Sequence, residues 1–213
     1  KIFLLMAAFR LGKVSSLNMK LNNLKKILAE KESINKKILK NHKKIDKIIN
    51  KITNTFKDNS KVYTCGNGGS AGDAQHVAAE GVVRLKPDFN RKPLPIISLA
   101  LDISTLTACA NDYGYNFVFS RSLEALANKN DLLICYSTSG NSKNIIEVLK
   151  TAKKMKIFSI CFLGNNGGVA KKYTDIPLII ENKNVARVQE AHIFLSHYIL
   201  EEVEKNLLDL KII

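Results

Sequence analysis

Two short segments about seventy residues apart constrain this chain most: C-G-N-G-G-S at Cys65–Ser70 and S-T-S-G-N-S at Ser137–Ser142. Each follows a strand-like run, Lys61–Thr64 and Leu132–Tyr136, and each opens a segment with helical periodicity. A strand, a turn of Gly, Ser, Thr and Asn, then a helix presents backbone N–H groups and hydroxyls to an anion. The helix N-terminus adds a partial positive charge at the same spot. Two such turns in one domain predict a ligand with a phosphate at one end and further oxygens at the other.

From Lys61 onward, near-continuous apolar runs alternate with helical patterns. Strands are predicted at Val62–Cys65, Leu94–Ala100, Leu132–Tyr136, Ile157–Phe162 and Ile176–Ile180. Helices are predicted at Ala71–Arg84, Ser104–Ala110, Val118–Ala127, Ser142–Lys154 and Asn184–Leu208. This is the pattern of an α/β protein with a parallel sheet covered on both faces. Ligands in such sheets bind outside the carboxyl ends of the strands, where both turns lie.

Residues 20–58 read as helix throughout, with a narrow stripe of Leu21, Leu24, Leu28, Ile34, Ile38 and Leu39, then Ile45, Ile48, Ile49 and Ile52. A stripe this long is expected to pack against something large, as a helical hairpin or a subunit interface. Met19 opens the first clean pattern. Residues 1–18 loosely mimic a targeting peptide but lack a typical small-residue cleavage site. They are expected to be an extension, disordered or non-native, with a single domain over 19–213 whose helices at 19–58 serve oligomerisation.

Composition excludes several classes. Cys65, Cys109, Cys135 and Cys161 form no CxxC pair, and three fall in or at the end of predicted strands, so buried reduced thiols in a cytoplasmic protein are expected. No apolar stretch approaches the roughly 18–20 residues that a membrane helix needs. The net charge is +14, but residues 1–60 carry 15 Lys/Arg against 4 Asp/Glu, or +11 of it. The excess therefore sits on the N-terminal helices and not around the Gly/Ser turns. A solvated helical face is the expectation, with no nucleic-acid partner.

Within Ser137–Ser142 four hydroxyls sit in six residues, and Gly140 allows close backbone approach. Ser142 can also cap the following helix. No G-K-[ST] ending follows, which points to a compact monophosphate and not to a nucleotide triphosphate. On the helix after the first turn, His76 and Glu80 are four residues apart, about 40° around the axis, so imidazole and carboxylate share a face. That spacing suits a metal or acid/base chemistry. On the last helix Gln189 and His197 are eight apart, roughly 80° around and ~12 Å along the axis. One ion reaches both only if the side chains lean together or another subunit contributes. His192 reads as structural and His42 as solvated, while Asn111-Asp112 is a plain turn signal.

These residues also match a known family. C-G-N-G-G-S-A-G-D-A-Q-H-V-A-A-E (65–80), A-N-D-Y-G-Y-N (110–116), S-T-S-G-N-S (137–142) and R-V-Q-E-A-H (187–192), with His197 following, resemble the phosphoheptose isomerases of the SIS (sugar isomerase) fold over residues 20–208. The resemblance implies a five-stranded parallel sheet flanked by helices on both faces, with an N-terminal helical hairpin. It implies conversion of sedoheptulose 7-phosphate to D-glycero-D-manno-heptose 7-phosphate for the heptose of lipopolysaccharide or capsule. The implied phosphate and sugar contacts are Asn67, Gly68, Gly69, Ser70, Glu80, Asn111, Asp112, Ser137, Thr138, Ser139, Ser142 and Gln189. The implied base is Glu80 and the acid His197, and some members bind zinc through positions matching His76, Glu80, Gln189 and His197. The family is homotetrameric, with active sites at subunit interfaces. One departure is Ala186, where some members carry an aspartate.

Aldose–ketose interconversion moves a proton between adjacent carbons through an enediol(ate). It needs a base over the carbon and a group to move protons between the oxygens, the roles of Glu80 and His197. The alternative is a non-catalytic SIS module that binds a sugar phosphate or a protein partner such as a replication initiator.

Overall fold

A computed structural model describes the backbone of residues 2–88 and 90–213, and side chains from Met19 onward except Phe89. The first helix, α1 (Ile2–Lys40), forms a unit of its own up to Leu39, and the second unit begins at Lys40. The reading of residues 1–18 as an extension falls on side chains outside the described set. The helical run expected over 20–58 is broken at Asn41, which leaves helical geometry (φ −93°, ψ 8°) before α2 (His42–Lys57). Asn competes with the helix through its own side chain, so it is a natural place for the break.

The second unit then runs β1 (Val62–Gly66), α3 (Gly69–Val82), β2 (Ile96–Ser98), α4 (Ile103–Asp112), α5 (Val118–Leu126), β3 (Leu132–Ser137), α6 (Lys143–Met155), β4 (Phe158–Gly164), β5 (Ile176–Ile180) and α7 (Val185–Asp209). The five strands form one parallel sheet in the order β2-β1-β3-β4-β5. Its inner strands are buried at every position of β1 and β3, because helices cover both faces. On one face α3 packs with α7, and α7 with α2. On the other, α5 and α6 close over Tyr63, Cys65, Leu133, Cys135 and Cys161.

The second strand is shorter than Leu94–Ala100. Pro93 and Pro95 have no N–H to donate, and the N–H of Leu94 between them goes to the Gly81 carbonyl instead of to a neighbouring strand. At the opposite edge β5 carries Pro177, whose carbonyl accepts from Lys44 Nζ at 2.9 Å. The chain turns from β1 to one side for β2 and to the other for β3, so the switch point lies between β1 and β3. Both Gly/Ser turns follow these two strands, at the edge where open sheets bind ligands.

All four cysteines are free and buried, as expected. Cys65, Cys135 and Cys161 stand side by side across β1, β3 and β4, with the first two sulfurs 3.5 Å apart. Among the described residues no helix is long and apolar enough to cross a membrane.

His192 bears out its structural reading. It is fully buried on α7 beside the rings of Tyr136 and Phe162. Burial pushes its pKa down to about 4, and the Leu163 backbone offsets only part of that. The unfolded ring therefore takes up its proton first as pH falls. The stability that goes with a neutral ring is present above pH 6.5 and is lost between there and about pH 4. Denaturant titrations should show wild type losing about 3 kcal/mol relative to His192→Leu between pH 7.5 and 4.5. A difference that stays constant with pH would show the ring titrating normally in the fold.

Candidate active site

The two turns are joined by side chains. β1 and β3 pair in register, Gly66 opposite Tyr136, so Asn67 and the start of α6 are neighbours. The amides of Asn67 and Asn144 exchange hydrogen bonds, each 2.8 Å long, and the Tyr115 hydroxyl donates to Asn67 Oδ1 at 3.1 Å. The sequence alone assigned no role to Asn144, or to Tyr115 within the A-N-D-Y-G-Y-N match.

The S-T-S-G-N-S loop is held open from within. Ser137 Oγ accepts from Gly140 N and Ser139 Oγ from Asn141 N, both at 3.1 Å, which leaves each hydroxyl its own proton to donate. Ser142 occupies the N-cap position of α6, yet its hydroxyl makes no cap bond, so the expected capping role is not used. Thr138 is half-buried and Ser139 exposed. A second loop, 165–169, supports the first from behind: Ala170 N donates to the Gly140 carbonyl at 2.8 Å and Val169 N to Asn141 Oδ1 at 3.0 Å. Its Gly167-Gly168 pair after a strand is the sequence signal that went unread.

The titratable groups converge from two helices. His76 Nε2 on α3 lies 2.8 Å from His197 Nε2 on α7 and 3.3 Å from Glu80 Oε1. The ligand atoms of these three residues all lie within 4.8 Å of one another. Two imidazole nitrogens and a carboxylate oxygen form a donor set that zinc accepts. The second carboxylate oxygen of Glu80 is buried with no hydrogen-bond partner. Asp73, one turn before His76, also keeps a buried, unpartnered oxygen; burial pushes its pKa up to about 6, while nearby His76 pulls the other way. The sequence reading passed Asp73 over.

Gln189 shares the α7 face but packs higher up. A β-carbon on Gly69 would sit 2.5 Å from its amide nitrogen, which places Gln189 against the first turn of α3 beside Gly68 and Ser70. The helices thus run side by side in parallel, with Gly69 by Gln189 and His76 by His197. Asn111 and Asp112 end α4, exposed and hydrogen-bonded to each other at 2.9 Å, outside the His76–Glu80–His197 cluster. Tyr115, three residues on, ties that segment to the first turn. Ala186 lies in the first turn of α7, its N–H capped by Asn184 Oδ1.

A doubly wound sheet with an oxygen-rich loop at its carboxyl edge and a His/Glu cluster further along α3 and α7 has the architecture of an SIS domain, and the model of the SIS domain family matches residues 27–164. A phosphoheptose isomerase of Campylobacter concisus is 49% identical over 72% of this chain and 80% of its own length. One from Clostridium acetobutylicum is 45% identical over 83% and 90%. The solved structure of phosphoheptose isomerase GmhA from Neisseria gonorrhoeae superposes with a TM-score of 0.80 at 32% identity, covering 86% of this chain and 98% of that one. The chain belongs to the phosphoheptose isomerase family, and so to the aldose–ketose isomerases.

Gly140 offers a direct test of the loop. Its φ is +64°, and a β-carbon there would meet the Gly167 carbonyl at 2.2 Å. Gly140→Ala should cost about 1–3 kcal/mol from backbone strain alone and weaken binding of inorganic phosphate at least tenfold. Wild-type phosphate affinity in a folded variant would place the phosphate elsewhere.

Proposed function

We propose that the chain isomerises sedoheptulose 7-phosphate to D-glycero-D-manno-heptose 7-phosphate through an enediol(ate). The observation that carries this reading is the meeting of Glu80 with His197 from separate helices, beside His76, on a helix that begins at the first Gly/Ser turn. Phosphate binds Ser137, Thr138, Ser139 and Ser142, with the N-terminus of α6 adding its partial charge. Asn67, Gly68, Gly69, Ser70, Asn111, Asp112 and Gln189 read the sugar oxygens. Gripping the far end holds the reacting carbons in place, which lowers the barrier by restricting motion before the chemistry begins.

Glu80 takes the proton from carbon. Its Oε2 has no hydrogen-bond partner within the chain, while Oε1 faces His76. His197 moves the proton between the two substrate oxygens. Zinc held by His76, Glu80 and His197, with Gln189 as a further ligand, would polarise the carbonyl. Glu80 and His197 belong to both the metal set and the proton transfer.

The reading extends to a homotetramer with active sites at subunit interfaces. Leu101, Ile103, Tyr113 and Phe117 leave large apolar side chains exposed around α4, a patch of the kind that a partner covers. The protein would work in the cytoplasm, as one domain over 19–213, and supply heptose for lipopolysaccharide or capsule.

Purified protein should convert sedoheptulose 7-phosphate, and thorough chelation should slow it if zinc participates. Glu80→Gln should retain the fold and phosphate binding while turnover falls about 10²–10⁴-fold. Unchanged turnover in that variant would remove Glu80 from the chemistry. Absence of product from the wild type would leave a binding module.

A further inference from the structure

Arg91 lies on the segment between α3 and β2, with its side chain 1% exposed. Its Nε donates to Glu204 Oε1 on α7 at 2.6 Å, and one terminal nitrogen contacts the same oxygen at 2.6 Å. That terminal nitrogen also donates to the Glu80 carbonyl at 2.8 Å. The other donates to the carbonyls of Gly81 at 2.8 Å and Lys92 at 3.0 Å. All five guanidinium N–H groups therefore have an acceptor. The carbonyls of Glu80 and Gly81 end α3, where a helix has no partners of its own to offer. Glu204 is 6% exposed and stands seven residues, about 10 Å of helix, beyond His197.

A buried ion pair is a weak source of stability, because desolvation offsets most of its attraction. Its geometry is the more informative property here. One rigid, planar group grips the backbone of Glu80 and a carboxylate on the helix that carries His197. We propose that Arg91, with Glu204, is a positioning residue that fixes the spacing at which the Glu80 carboxylate meets His197. The inference rests on the isomerase reading of the site. Without the clamp only the Leu94 N–H holds the Gly81 carbonyl, the last turn of α3 loosens, and the Glu80 side chain swings away from the cluster. Lysine cannot substitute, since a point charge cannot hold four acceptor groups in a fixed fork.

Two variants of the full chain test this. Arg91→Lys keeps the charge and loses the fork, while Glu204→Gln keeps the shape and loses the charge. Fold and assembly are followed by circular dichroism and gel filtration, kcat and KM for sedoheptulose 7-phosphate separately, and zinc affinity by competition with a chromophoric chelator. The expected result is kcat down about tenfold or more with KM within about threefold, together with zinc bound about tenfold more weakly. Glu204→Gln, the milder change, carries the test if Arg91→Lys does not fold. Leu123→Ala opens a cavity in the core under α5 and reports what lost stability alone does. Retained kcat and zinc affinity in folded variants, a rise confined to KM, or equal losses in Leu123→Ala would each overturn the proposal. An inactive wild type would end the isomerase reading instead, and the zinc competition would still decide the clamp.

Discussion

The adjacency of β1 and β3 is the constraint on which the rest depends. Parallel strands end at the same edge, and pairing Gly66 with Tyr136 delivers two loops, seventy or so residues apart in sequence, to one place. The reciprocal amide bonds of Asn67 and Asn144 then fix the loops to each other. From there α3 must start beside the S-T-S-G-N-S loop, and its one face carries His76 and Glu80 along the flank of α7. Nothing about the chemistry could be assembled if the strand order differed.

Burial is graded along the two neighbouring helices. Glu80 stands among apolar neighbours on α3, Val77 and Ala78 being buried, and keeps one oxygen free of hydrogen bonds. His192, a helical turn before Ser196 and His197, shows the other extreme: a ring sealed so completely beside Tyr136 and Phe162 that it stays uncharged. Imidazoles five residues apart on one helix thus stand in unlike surroundings, one sealed in the core and one beside His76.

Much of this was legible in the sequence. The apolar runs gave all five strands, because buried parallel strands need hydrophobic side chains on both faces. The i, i+4 spacing of His76 and Glu80 placed both on one helix face, and the structure brings them together with His197. What escaped were groups whose meaning lies in distant partners. Asn144, Tyr115 and Arg91 are ordinary residues until the fold brings Asn67, Glu80 and Glu204 to them. The length of β2 was misjudged for a related reason: hydrophobicity continued through Leu94, but the N–H groups needed for a ladder were missing at Pro93 and Pro95. The break at Asn41 was likewise hidden by an apolar stripe that runs across it.

Those prolines have a further consequence. An open sheet exposes two unsaturated borders, and each is an invitation to add a stranger's strand. Here one border is three residues long and preceded by Pro93 and Pro95, while the other includes Pro177, whose carbonyl is already taken by Lys44. Neither margin can template a ribbon of any length. Edge-to-edge pairing of one sheet with another is thereby discouraged, which leaves the five strands and their two loops undisturbed.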